Sequence, residues 1–128
     1  MTDDTAMRAF ITRFFDAIEK GDIDTVRDSY APGAVIWHNT DELETTREDN
    51  VKVLSGFVKA IPGRHYENRR AQVFPGGFVH QHDLRAVRAD GVAVVLPACL
   101  VCQVQDGRIT RLDEYFDSAR VARLTARA

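Results

Sequence analysis

Cysteine is scarce: Cys99 and Cys102 are the only two in 128 residues, and both fall in one apolar run that reads as a strand. Positions three apart on a strand point to opposite faces, so the pair cannot close a disulfide, and no second pair exists to make a zinc site. Both are expected as small core or half-buried residues. An excess of one charge is missing too, since 17 basic residues face 19 acidic ones for a net charge of -2. That balance offers no basic field to nucleic acid and no cationic face to a membrane. No apolar run nears the roughly 20 residues of a membrane span, and the opening Met1-Thr2-Asp3-Asp4 is acidic where an export signal would be basic. A cytoplasmic protein is expected, with neither nucleic acid nor membrane as partner. Repeats, low-complexity stretches and linkers are also absent. With 45% hydrophobic residues, residues 1–128 are expected to form a single domain with a real core.

Taken in order, Asp3 to Glu19 reads as an amphipathic helix. Met7, Phe10, Ile11, Phe14 and Ile18 recur at helical spacing, and Phe15 widens the stripe. Lys20-Gly21 closes it, and Asp22 caps a short second helix with Ile23, Val26 and Tyr30 on one side. A short strand, Ala34 to Asn39, places Val35, Trp37 and Asn39 on one face and Ile36 and His38 on the other. Thr45 with Glu48 forms a capping-box signature for a third helix showing Val51, Leu54, Phe57, Val58 and Ile61 on one side, and Pro62-Gly63 stops it.

The period then changes to two. Tyr66 to Phe74, Phe78 to Arg88, Val92 to Gln105 and Arg108 to Asp117 read as strands, separated by Pro75-Gly76-Gly77, Asp90-Gly91 and Asp106-Gly107. Ser118 to Arg127 is weakly helical and is expected to be a tail that packs on a neighbour. Helices first and a curved antiparallel sheet last predict an α+β domain in which three helices cover one face of the sheet. The last strand carries Asp113, Glu114 and Asp117, more acid than a half-buried strand needs. An acid facing an enclosed pocket is desolvated and becomes a candidate proton carrier.

Two N-terminal helices, a short strand bearing Trp37-His38-Asn39, a further helix, four long strands and a final Tyr115-Phe116-Asp117 together resemble the nuclear transport factor 2-like superfamily. The resemblance implies a sheet curled into a cone, with the helices on its concave face around an apolar cavity, and a homodimer formed through the sheet. Val92, Val94, Leu96, Leu100 and Val101 lie near that uncovered face and suit such a contact. Within the superfamily the residues most resemble the limonene epoxide hydrolase group. There the implied base that activates water is Glu114 and the implied acid is Asp83. Gln81 stands where that group has an arginine, Asn39 matches a water ligand, and Trp37 replaces a tyrosine. Phe14, Phe15, Tyr30, Phe57, Leu112 and Phe116 are expected in the core or cavity wall. Opening an epoxide needs a base for the water and an acid for the leaving oxygen, and two carboxylates with split pKa values can supply both. The expected activity is a hydrolase or isomerase acting on a small apolar molecule without a cofactor.

Register decides whether the acids meet. If both Asp-Gly hairpins are plain two-residue turns, Asp83 lies opposite Ala98 and Ala98 opposite Tyr115, leaving Glu114 on the other face. An odd number of one-residue offsets would unite the acids, with Gly91, Gly107 and Pro97 as candidate bulge sites. With the other parity His80 and His82 face the cavity, near Tyr115, Asp113 or Asp117 and with His38 in reach. That set suits the enolisation or aldol chemistry of SnoaL-like cyclases and ketosteroid isomerases. A metal would require a third ligand from His38 or His65 and is not expected. A cavity that only binds apolar ligands is the non-catalytic alternative.

Overall fold

A computed structural model describes residues 4–125. Asp3 and the end of the predicted tail, residues 126–127, lie outside the described residues. The elements are α1 (Asp4–Lys20), α2 (Ile23–Ser29), β1 (Tyr30–His38), β2 (Glu44–Thr46), α3 (Arg47–Ala60), β3 (Gly63–Phe74), β4 (Gly77–Val87), β5 (Ala93–Gln105), β6 (Arg108–Phe116) and α4 (Ser118–Thr125). The strands form one curved, open sheet in the order β2-β1-β6-β5-β4-β3. All neighbouring pairs are antiparallel except β1 with β6, which are parallel. The α+β class predicted from periodicity is the class found.

Local chemistry sets the boundaries. Gly21, at φ 78°, ends α1 in a Schellman turn: its N–H donates to Ile18 O and the Asp22 N–H to Ala17 O. The Asp22 carboxylate then caps α2 by accepting from the Thr25 N–H. The capping box of α3 uses Thr46 and Asp49, one residue later than predicted from Thr45 and Glu48. Thr45 is taken up elsewhere, because its hydroxyl donates to Ile36 O while β2 pairs with β1. The apolar stripe of α3 is also less buried than its pattern implies, with none of its residues fully buried. The predicted tail is a fourth helix that folds back on its own chain, where Leu124 is buried and Val121 packs with it beside Leu84 and Leu96.

The register departs from two plain hairpins at two places. At the β4–β5 turn, Gly91 (φ 85°) donates to Arg88 O while the Arg88 N–H donates to Val92 O, the pattern of a type I turn followed by a bulged glycine. The β5–β6 turn is a plain two-residue turn at Asp106-Gly107, both at positive φ, but a bulge at Thr110 shifts the ladder between Val104↔Ile109 and Gln103↔Arg111. Asp83 therefore lies opposite Pro97, and Ala98 opposite Phe116. Two offsets cancel in parity. Phe78, His80, His82, Leu84 and Ala86 of β4 and Val94, Leu96, Ala98, Leu100 and Cys102 of β5 all point inward. Val94, Leu96 and Leu100 thus belong to the core and not to the uncovered face, which carries Val95 and Tyr115.

Candidate functional site

The inward rows converge on a cavity of about 780 Å³. Its wall is mostly apolar and includes Phe14, Phe15, Tyr30, Phe57, Leu112 and Phe116, the residues that sequence pattern assigned to core or cavity wall. Leu54 and Phe57 of α3 also face it, which explains why that helix keeps no fully buried residue. On the sheet side two polar rungs follow one another: His80, Leu100 and Glu114 align across β4, β5 and β6, and His82, Ala98 and Phe116 form the next. His38, at the end of β1, is the register partner of Glu114 across the parallel pair. Their side chains consequently share a face, with His38 Nε2 3.1 Å from Glu114 Oε1 and both mostly buried.

Asn39 holds this corner together. Its amide donates to Phe116 O at 3.0 Å and accepts from the Phe116 N–H at 2.9 Å, while its own N–H donates to Glu114 O. The side chain imitates one more peptide of the ladder and fixes the backbone on both sides of Glu114. Asn39 therefore supports the site from the strand end and does not line the cavity.

Asp83 and Glu114 are not brought together. Asp83 sits on the outer face, where its carboxylate accepts from Asn68 Nδ2 at 2.8 Å. Gln81 is exposed in the same outer set, in a row with Cys99 and Tyr115. Trp37 packs on Tyr115, ring centroids 5.2 Å apart, also outside. The placement of Asp83, Gln81 and Trp37 in the cavity is thus corrected: the even number of bulges turns Asp83 and Gln81 outward, and Trp37 follows Asp113, its register partner on β6. Tyr115, 46% exposed, is likewise not a neighbour of His80 and His82. Asp113 pairs with Arg111, which also bridges to Glu44, and Asp117 caps the start of α4. The arrangement found mixes the two expected sets: Glu114 from one, with His38, His80 and His82 from the other.

Two further residues were not anticipated. Tyr66 of β3 faces the cavity and meets the His82 ring edge-on at 4.8 Å. Arg69 holds β3 against α1 through Asp16 and Glu19, and Glu19 also accepts from the Tyr66 N–H at 2.7 Å. Arg69 carries no sequence signal, since it falls at the bulge of β3 between Glu67 and Arg70, where alternation breaks, and Tyr66 lies just before that bulge, paired with Leu84.

Electrostatics separate the groups. Burial lowers the His38 pKa, but the hydrogen bond it donates to Glu114, the charge of Glu114 and that of Asp41 outweigh it, so the imidazole titrates above its ordinary value. His82 moves down, mainly by burial, although Glu114 opposes the shift. His80 is pushed down to about 3, first by burial and then by His82, Arg69 and Arg70. Burial drives the Tyr30 and Tyr66 phenols up, with Glu114 adding to both. Near neutral pH the cavity therefore presents Glu114 beside an imidazole of raised basicity, with neutral imidazole and phenol groups nearby. Among the described residues, no cluster of three or more His, Cys, Asp or Glu side chains is placed to hold a metal ion.

An open, curved six-stranded sheet with helices on one side and a polar corner on the cavity wall defines the class as the nuclear transport factor 2-like α+β fold. The sequence profile of the SnoaL-like domain matches residues 11–112, and the chain belongs to that family. Solved structures agree on the fold. A protein from Shewanella putrefaciens assigned as a SnoaL-like polyketide cyclase superposes with a TM-score of 0.80 at 12% identity, covering 92% of this chain and 84% of that one. AclR from Streptomyces galilaeus, assigned as a hydroxylase, gives 0.84 at 16% identity, covering 95% and 82%. An LEH-like epoxide hydrolase from M. tuberculosis gives 0.75 at 20% identity, covering 91% and 86%. No curated protein matches the sequence.

Proposed function

We propose that the chain is an acid–base enzyme acting on a small, largely apolar carbonyl compound, with Glu114 as the proton acceptor and His38 as its partner. One observation carries this reading: the Glu114–His38 contact at 3.1 Å, on the wall of a mostly apolar cavity. Breaking a C–H bond beside a carbonyl needs a base aimed at the hydrogen and a donor for the oxygen that becomes negative. The carboxylate of Glu114 takes the proton, the C–H electron pair becomes the enolate, and the Tyr66 hydroxyl or a neutral His82 N–H stands on the same cavity to receive the oxygen. Returning the proton elsewhere gives an isomerase, and attack of the enolate on a second carbonyl gives a cyclase. The raised pKa of His38 suits a donor that orients Glu114 between turnovers. Paired-carboxylate epoxide opening is less well supported, because Asp83 faces outward.

The test follows the α-protons of 2-tetralone in D2O by NMR. The wild-type protein is expected to exchange them well above the uncatalysed rate. Glu114→Gln should lose that rate by roughly a hundredfold or more, with folding checked by circular dichroism. Wild-type exchange that survives in Glu114→Gln sinks the assignment of the base. An epoxide panel run beside it decides the competing chemistry, since epoxide turnover without ketone exchange transfers the reading to hydrolysis. Binding of both probes without turnover of either leaves a ligand-binding cavity.

A further inference from the structure

His80 is a buried group that the proposed reaction does not use. It is 2% exposed and stacks flat on Phe15, with ring centroids 3.8 Å apart and planes 12° from parallel. It does not line the cavity, whereas its strand neighbour His82 does, and the two Nδ1 atoms lie 3.3 Å apart. Both imidazoles are held neutral near pH 7 by burial. A neutral imidazole has one N–H and one bare nitrogen, so this contact is a hydrogen bond only if one ring carries its proton on Nδ1 and the other does not.

We infer that His80 is a positioning residue that donates from its Nδ1–H to His82 Nδ1, and thereby fixes His82 as the tautomer whose Nε2–H is available to the cavity. Two observations select this direction over its reverse. Among the described residues the contact with His82 is the hydrogen bond that the His80 ring makes, and it is made through Nδ1; a buried N–H without a partner is costlier than a bare acceptor nitrogen. The proton therefore belongs on Nδ1 of His80. In addition, the carboxylate of Glu114 acts on His82 from the cavity side, and a negative charge there favours an N–H over a lone pair. The consequence deepens the proposed function and rests on it: His82 offers a donor and not a second base, so the site suits a substrate with an acceptor oxygen, such as a ketone, beside the carbon that loses its proton.

The experiment is long-range 1H–15N NMR of histidine-labelled protein, which reads the tautomer of each ring without any substrate. The wild type should show His82 protonated on Nε2 and His80 on Nδ1, and the opposite pattern overturns the inference. His80→Phe keeps the stack on Phe15 but removes the donor, so His82 should shift toward its other tautomer. His80→Asn, whose amide can replace the Nδ1–H, should restore it. An unchanged His82 pattern in His80→Phe also overturns the inference, and if that variant does not fold, the wild-type and His80→Asn spectra decide. In the 2-tetralone assay His80→Phe is expected to lose roughly tenfold in kcat with little change in KM, less than the roughly hundredfold for removing a donor outright. A kcat equal to wild type refutes the positioning role. If the wild type does not exchange 2-tetralone at all, the proposed function fails while the spectra still answer the tautomer question.

Discussion

At the scale of single residues, the cavity sets histidines against one another. A histidine whose pKa rises on folding stabilises the folded state while it is charged, and one whose pKa falls does the reverse. His38 is of the first kind, raised above 6.5. Its contribution is complete below 6.5 and fades as pH climbs through the higher folded value. His80 is of the second kind, lowered from 6.5 to about 3. The unfolded chain binds a proton there that the folded chain refuses, so stability is lost as pH falls from 6.5 toward 3. Thermal melts at pH 5, 6, 7 and 8 separate the two. The advantage of wild type over His38→Gln should be largest at pH 5 and close as pH rises. His80→Asn should remove part of the wild-type loss between pH 7 and pH 5. A His38→Gln deficit that grows with pH would contradict the assigned ion pair.

At the scale of elements, one buried arginine joins two helix ends to the sheet. Arg64 at the start of β3 is 6% exposed and donates to Ile18 O of α1, Val58 O of α3 and Ile61 O. These are carbonyls that helix C-termini leave without intrahelical donors, and a cation is favoured there. Gly21 is needed beside it, since a Cβ would come within 2.8 Å of the guanidinium and 2.9 Å of Val58. Arg64→Met should therefore destabilise the fold by roughly 3 kcal/mol, read by urea unfolding, while a loss below about 0.5 kcal/mol would show that water replaces the guanidinium freely. Nothing in the sequence around Arg64 separates it from Arg69 and the exposed Arg70 of the same strand. What was legible were signals confined to one element: the stripe of α1, the Gly21 stop, and the Asp-Gly turns that delimit β4, β5 and β6. What was not legible required comparing elements. Each bulge changes the pairing by one residue, and only their sum decides the face of Asp83 relative to Glu114. Gly91 announces its bulge as a glycine in a turn, but Thr110 is an ordinary strand residue, so the parity could not be counted from the chain.

At the scale of the whole molecule, the cavity interrupts what would otherwise be one core. One buried cluster gathers Met7, Phe10, Phe14 and Phe15 of α1 against Phe78, Leu100 and Leu112, and another gathers Ile61, Leu84, Val94, Leu96 and Leu124. Tyr66 and Phe116 touch both clusters and also line the space between them. A void of about 780 Å³ falls within the range of ligand sites and is far larger than packing defects leave. Residues that face it forgo dispersion contacts that a filled core would give, so stability and function compete there. Ala98 lies at the centre of that conflict, on the cavity wall between His82 and Phe116. Ala98→Leu sends three more carbons into the space and should raise stability by about 1 kcal/mol, less than full burial of that area would yield. The same variant should abolish both the thermal shift by 2-tetralone and its exchange, since the side chain occupies the volume next to His82. A melting temperature below wild type would mean that the wall at Ala98 is already closely packed, and that the ligand volume lies instead toward α3 and α4.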